Sequence, residues 1–117
     1  MEIRCDKLLL AILQGDDYNE VVADLNEHGF YVTVLNSSGG FLKKRSVTIM
    51  VGLDAARVDD CIEILKKRAG HRTEIVYNHI VMPTGHHNMT IPPVVPTEVE
   101  VGGVTVFVMD ICRYEHL

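Results

Sequence analysis

The chain has 117 residues, a formal net charge of −5 at pH 7, 47% hydrophobic residues and 23% charged residues. This length predicts one domain, residues 1–117, and the charged fraction is too low for a disordered protein. The negative charge disfavours nucleic-acid binding. Cys5, Cys61 and Cys112 have no paired spacing, so we expect a protein of a reducing compartment, the cytoplasm.

The first part of the chain predicts a β-α-β unit. Residues 7–13 form an apolar run that is too short to cross a membrane and suits a strand buried on both faces. Asp16 or Asp17 would cap the helix that follows, and Gly29 would end it. The alternating residues 30–35 predict the second strand.

The loop after this strand, residues 36–45, is the first candidate binding segment. Two serines precede Gly39 and Gly40, and Phe41 follows them. Adjacent glycines allow positive φ and let the backbone come close to another molecule. Backbone amides, hydroxyls and a ring within a few residues suit a ligand that carries an adenine or a phosphate. The plainer alternative is a tight loop between two strands.

A second β-α-β unit is predicted next. Residues 46–53 alternate and predict a third strand. Asp54 would cap the second helix, Cys61 would lie in the core as a small apolar residue, and Gly70 would end this helix. Residues 73–80 predict a further strand.

The last third of the chain predicts a long loop and a closing hairpin. Residues 81–97 contain all four prolines and predict an irregular loop, which at this length is usually functional or mobile. Residues 98–108 predict two strands joined by a turn at Gly102 and Gly103. Phe107 in the second of these strands is either a core residue or a wall of a ligand site.

This order of elements predicts an α+β fold, a ferredoxin-like βαββαβ sandwich with one antiparallel sheet and two helices on one face. The other face of such a sheet would be open to water. A homotrimer that packs three sheets together would cover this face. A ligand site of useful depth would then form between protomers, because a chain of 117 residues has little room for a deep cavity of its own.

Catalysis and metal binding are not favoured by the sequence. It has no Walker loop, no Ser-His-Asp order and no paired catalytic carboxylates, so we predict neither an enzyme nor a cofactor. The spacing of His79, His86 and His87 matches no compact zinc motif. A metal site between protomers of a trimer remains an alternative for these histidines.

Several segments resemble the PII-like cyclic-di-AMP receptors, a family of signalling proteins similar to the nitrogen regulatory protein PII. The matching segments are residues 7–14, 39–42 and 99–108, together with Gly52. The resemblance implies a non-enzymatic signal-transduction protein that assembles as a homotrimer and binds cyclic-di-AMP or another adenine nucleotide between protomers. It also implies that ligand changes the conformation of the loops at 36–45 and 81–97, so that an unknown downstream protein responds.

The resemblance further implies which residues bind the ligand. These are Thr33, Gly39, Gly40, Phe41, Leu42, Ser46, Gly52 and Phe107. Phe41 and Phe107 would offer rings to a purine, and Gly40 and Gly52 would let backbone groups reach the edge of the base.

The chain also departs from the family pattern at several places, three of which concern ligand contacts. Tyr31 stands where the family often has an arginine, Ser46 stands where it has an asparagine, and residues 115–117 replace a tail that reaches the ligand. These changes favour, as the alternative, a trimer similar to PII or to copper-tolerance proteins that binds a different nucleotide or a metal ion.

Overall fold

Two α-helices and six strands form within residues 5–35, 46–79 and 94–117, which the computed structural model describes. In chain order they are β1 (Lys7–Gln14), α1 (Tyr18–Glu27), β2 (Val32–Leu35), β3 (Ser46–Leu53), α2 (Val58–Ala69), β4 (Arg72–His79), β5 (Val94–Val101) and β6 (Val104–Asp110). Short 3-10 turns, Gly15–Asp17 and Ala55–Arg57, precede the helices. The chain divides into unit 1 (Met1–His71 with Gly102–Leu117) and unit 2 (Arg72–Val101).

Unit 1 contains a four-stranded antiparallel sheet with the strand order β2-β3-β1-β6. Strand β1 pairs with β3 on one side and with β6 on the other, and β3 also pairs with β2. The helix α1 connects β1 to β2, and α2 follows β3. This topology of alternating strands and helices is consistent with the predicted ferredoxin-like fold.

The core of unit 1 lies on one face of this sheet. Alternate strand residues are buried there together with side chains from both helices, namely Leu9, Ala11, Leu13, Ile49, Val51, Val21, Leu25, Cys61 and Leu65. Cys61 is therefore a core residue, as predicted. The prediction that the first strand is buried on both faces is wrong, because Ile12 on its other face is 39% exposed. In the described structure the helices cover one face of the sheet only.

The predicted helix ends are partly confirmed. Asp54 accepts a hydrogen bond on Oδ1 from the backbone amide of Ala56 at 2.9 Å, and Gly29 has a φ of 83° just after α1. Asp17 is the residue just before α1, but its side chain makes no capping hydrogen bond. Its backbone already has helical angles, since it ends a 3-10 turn, whereas a capping side chain needs an extended backbone.

The predicted closing hairpin over residues 98–108 is wrong. Strand β5 pairs with β4, and β6 pairs with β1. Gly102 and Gly103, with φ of 82° and 111°, connect two different sheets. The amide of Gly103 donates to the carbonyl of Ala69 at 2.8 Å. A local turn signal was outweighed here by pairing between strands that are distant in sequence, because β6 completes the covered sheet of unit 1.

Unit 2 is a two-stranded antiparallel ribbon made of β4 and β5. β4 corresponds to the strand predicted at 73–80. β5 begins at Val94, so the last four residues of the segment predicted as a loop at 81–97 are in a strand. Pro96 is tolerated there because β5 has a partner on one side only within the ribbon. The predicted loop at 36–45 and residues 80–93 lie outside the described residues.

Candidate ligand site on the open face of the sheet

The sheet face opposite the helices, which we call the open face, carries the described residues of the predicted ligand site. Residues directly opposite one another in neighbouring strands point to the same face. The register places Thr33 opposite Met50, Met50 opposite Leu10, and Leu10 opposite Phe107. Gly52 lies opposite Leu8, and Ser46 lies opposite Gln14. Thr33, Ser46, Gly52 and Phe107 therefore all belong to this one face.

A cavity of about 440 Å³ opens at one end of the open face. This volume falls within the usual range of small-molecule sites, roughly 300–1,000 Å³. The lining is mostly aromatic, aliphatic or sulfur-containing, with hydroxyl groups as its polar side-chain atoms, and consists of Cys5, Leu8, Tyr31, Thr33, Met50, Gly52, Ile111 and Tyr114. The described lining residues all belong to unit 1.

The segment that leads into β2 directs the side chains of Tyr31 and Thr33 toward this cavity. Phe30 is buried in the core, and the guanidinium of Arg57 lies 4.0 Å from the centre of its ring. Arg57 also donates through Nη2 to the carbonyl of His28 at 2.7 Å. In an extended chain successive side chains point to opposite sides. Because Phe30 is fixed in the core, Tyr31 and Thr33 point to the open face.

The segment before β1 passes close above Gly52. A Cβ at this position would lie 3.2 Å from Sγ of Cys5 and 3.6 Å from its Cβ, which is tight contact. The space beside Gly52 is thus filled by the Cys5 side chain. The thiols of Cys5, Cys61 and Cys112 are all free. Burial raises the pKa of the Cys61 thiol to about 11, so this core thiol is protonated at neutral pH.

The far side of the cavity is built by the residues after β6. Lys7 and Asp110 form a salt bridge across β1 and β6, and the hydrogen bond that Lys7 donates to Asp110 raises the pKa of Lys7. At the next pair of residues beyond these strands, the amide of Ile111 donates to the carbonyl of Asp6 at 3.0 Å. This bond extends the pairing beyond the strands and fixes the start of the carboxyl-terminal tail, from which Tyr114 reaches the cavity.

The structure brings Thr33 and Gly52 together in the cavity and leaves Phe107 and Ser46 elsewhere on the open face. Phe107 is in the same row as Thr33 but three strands away, roughly 14 Å at the usual strand spacing. Ser46 is at the other end of β3 from Gly52, roughly 20 Å along the strand. Gly39, Gly40, Phe41 and Leu42 lie outside the described residues.

Six lining residues were not among the predicted site residues. Two of them could have been found from the sequence. Tyr31 is two residues from Thr33 and Met50 is two residues from Gly52, and residues two apart in a strand share a face. No such signal was available for Cys5, Ile111 and Tyr114, since their position depends on where the two chain ends lie in the tertiary structure. Leu8 was within the matching segment 7–14 but had no assigned role.

The described residues contain no group of three or more His, Cys, Asp or Glu side chains that could hold a metal ion. His86 and His87 lie outside these residues, as does the side chain of His79. Among the described helices none is long and apolar enough to span a membrane.

Comparison with known proteins identifies a family and a set of similar solved structures, of which two are described. The protein family described as "Cyclic-di-AMP receptor" matches residues 6–117. A functionally unknown protein from Pediococcus pentosaceus ATCC 25745 is 30% identical, with 97% of this chain and 98% of that chain covered and a TM-score of 0.72. A DUF3240 family protein from Shewanella baltica OS155 is 17% identical, with 98% and 99% covered and a TM-score of 0.52. The second similarity concerns the fold alone.

Proposed function

Because the chain belongs to the cyclic-di-AMP receptor family, which is PII-like, we propose that it is a non-enzymatic, cytoplasmic signal-transduction protein that binds cyclic-di-AMP. The observation that carries this proposal is the family match over residues 6–117. The cavity beside Thr33 and Gly52 supports it, because two residues implied as ligand contacts line a space of suitable size. An uncharged lining with aromatic rings suits a nucleobase.

We further propose that the protein is a homotrimer with ligand sites between protomers. The open face carries exposed apolar side chains, among them Ile12, Leu35, Phe107 and Met109. Covering such a surface with other copies of the chain is favourable. Thr33 and Phe107 are too far apart in one protomer to contact the same base. A neighbouring protomer would supply the second residue to a shared site.

Ligand binding would act on the loop at 36–45. This loop connects β2, which carries Thr33, to β3, which carries Gly52. A ligand held by both strands would limit the conformations of the segment between them. Ordering of this loop and of residues 81–97 would expose or hide a surface for a downstream protein, which is a common form of switching.

Calorimetric titration with cyclic-di-AMP, with ATP and cyclic-di-GMP as controls, tests this function. We expect one cyclic-di-AMP per chain and a trimeric mass by light scattering. Removing a stacking ring by Phe41→Ala or Phe107→Ala should weaken binding roughly 10-fold or more. Lys67→Ala, an exposed change on α2 and so away from the open face, is the matched control. A monomeric protein, or heat with ATP and none with cyclic-di-AMP, would contradict the proposal.

A further inference from the structure

The cavity on the open face has two tyrosines that are absent from the ligand residues implied by the family. Tyr31 stands just before β2, and Tyr114 belongs to the carboxyl-terminal tail. Both residues line the cavity, and Tyr31 is 73% exposed and Tyr114 57% exposed. We propose that Tyr31 and Tyr114 are base-stacking residues that hold one purine base of the ligand in this cavity. This inference rests on the proposed function and deepens it.

Tyr31 is directed to the cavity by its neighbours. Phe30 is 4% exposed and is fixed in the core beneath Arg57, so the next side chain of this extended segment points to the open face. Thr33, two residues further on, follows on the same side and lines the same cavity. The phenol ring and a hydrogen-bonding group thus come from one short segment.

Tyr114 is directed to the cavity from the opposite end of the chain. The bond from the Ile111 amide to the carbonyl of Asp6 fixes the tail beside β1. Arg113 donates through Nη2 to Oε1 of Glu115 at 2.9 Å. These two side chains flank Tyr114 and lie together on one side of the tail. The tyrosine between them therefore points to the other side, where it lines the cavity.

The lining selects for a neutral aromatic group. Among the residues that the structure describes, the eight that line this cavity carry no charged side chain. A phosphate placed inside would lose its hydration without gaining a cation, so the cavity disfavours the phosphate part of a nucleotide. A purine base suits it, since tyrosine rings offer stacking and the sulfur atoms of Cys5 and Met50 are polarisable partners for a ring. Hydroxyl groups of Thr33 and the tyrosines can bond the polar edge of the base.

The test compares alanine and phenylalanine substitutions in the full-length chain. We expect Tyr31→Ala and Tyr114→Ala to weaken cyclic-di-AMP binding about 10-fold or more, which is the effect of losing one stacking ring. Tyr31→Phe and Tyr114→Phe retain the ring and should stay within about 3-fold of the parent. Tyr77→Ala removes an equally exposed tyrosine that does not line the cavity and is the matched control. Unchanged affinity in both alanine variants, with the parent protein binding normally, would overturn the inference and leave the proposed function intact.

A fluorescent variant separates failure of the inference from failure of the proposed function. The chain has no tryptophan, so Tyr114→Trp introduces a single reporter into the cavity. Cyclic-di-AMP and, separately, adenosine monophosphate should change its emission in a saturable manner. A response to adenosine monophosphate without any binding of cyclic-di-AMP would support the base site and reject the proposed ligand. No emission change with either nucleotide would overturn the base site.

Discussion

Gly103 and Gly70 would resist substitution for different physical reasons. Gly103 has a φ of 111°, a conformation that other residues rarely adopt, and a Cβ there would meet nothing within 4 Å. Gly70 has an ordinary φ of −65°, but a Cβ there would clash with the carbonyl oxygen of Lys66. The same oxygen accepts the amide of Gly70 at 3.0 Å, so the contact cannot relax without breaking the end of α2.

We therefore expect Gly70→Ala to lower the free energy of unfolding by about 1–3 kcal/mol. The cost arises from the displaced end of α2 and of the Ala69 carbonyl that bonds Gly103. Urea denaturation followed by circular dichroism measures it. Lys66→Ala, which changes an exposed side chain but keeps the carbonyl of residue 66, is the control and should be close to neutral. Equal stability of the two variants would show that the helix end adapts without cost.

At the scale of elements, α1 and α2 are joined by a carboxylate with little access to water. Asp24 of α1 is only 9% exposed. Arg68 of α2 donates through Nε to its Oδ2 at 2.9 Å, and Nδ1 of His28 lies 3.1 Å from its Oδ1. The hydrogen bond from the Arg68 guanidinium holds the pKa of Asp24 below its usual range. The pair thus fixes the two helices against each other on the covered face of the sheet.

This pair predicts a loss of stability in acid. A lowered pKa in the folded state stabilises the protein above the pKa of the unfolded carboxyl, about 4. The contribution disappears as the pH falls through the lower folded-state pKa. Asp24→Asn should therefore lower the melting temperature by several degrees at pH 7, and the difference from the parent should shrink toward pH 2. Asp16→Asn at an exposed aspartate is the control. A difference in melting temperature that does not change with pH would show that the substitution acts through packing and not through the charge of Asp24.

At the scale of the whole molecule, the chain leaves unit 1 after His71 and returns at Gly102. The positions at which the chain leaves and re-enters unit 1 lie close together, because the amide of Gly103 donates a hydrogen bond to the carbonyl of Ala69 at 2.8 Å. The amide of Gly102 also donates to Oε1 of Gln14 at 3.2 Å. The buried core residues belong to unit 1, whereas the described side chains of the β4–β5 ribbon are largely exposed. Unit 1 therefore has a core of its own.

We expect unit 1 to fold when residues 72–101 are replaced by a short Gly-Ser linker. Loop closure costs little when the two ends already lie side by side. The shortened protein should keep a cooperative thermal transition and the far-UV circular dichroism of its two helices. A matched variant in which Leu9→Ala is added should lose most of this stability, because that side chain is fully buried in the core. A shortened chain that unfolds without cooperativity would show that the ribbon is part of the same folding unit.

Much of the fold could be predicted from local sequence patterns. Alternation located β2 and β3, and Gly29 and Gly70 marked the ends of the two helices. The wrong predictions concern which strands pair with each other. The turn signal at Gly102 and Gly103 predicted a hairpin, but β5 and β6 each found a partner elsewhere. Strand pairing is chosen by burial across the whole domain, which a local turn motif does not encode.

The sequence by itself determined the family and the residue types from which the proposed site would be built. The resemblance to that family also implied that Thr33 and Gly52 contact a ligand. Only the tertiary structure decided that Cys5 and Tyr114, at opposite ends of the chain, line the same cavity as these residues. The physical reason is that β1 and β6 pair as neighbours, which brings together segments that are about a hundred residues apart. Proximity of that kind follows from the packing of the sheet and from no local pattern.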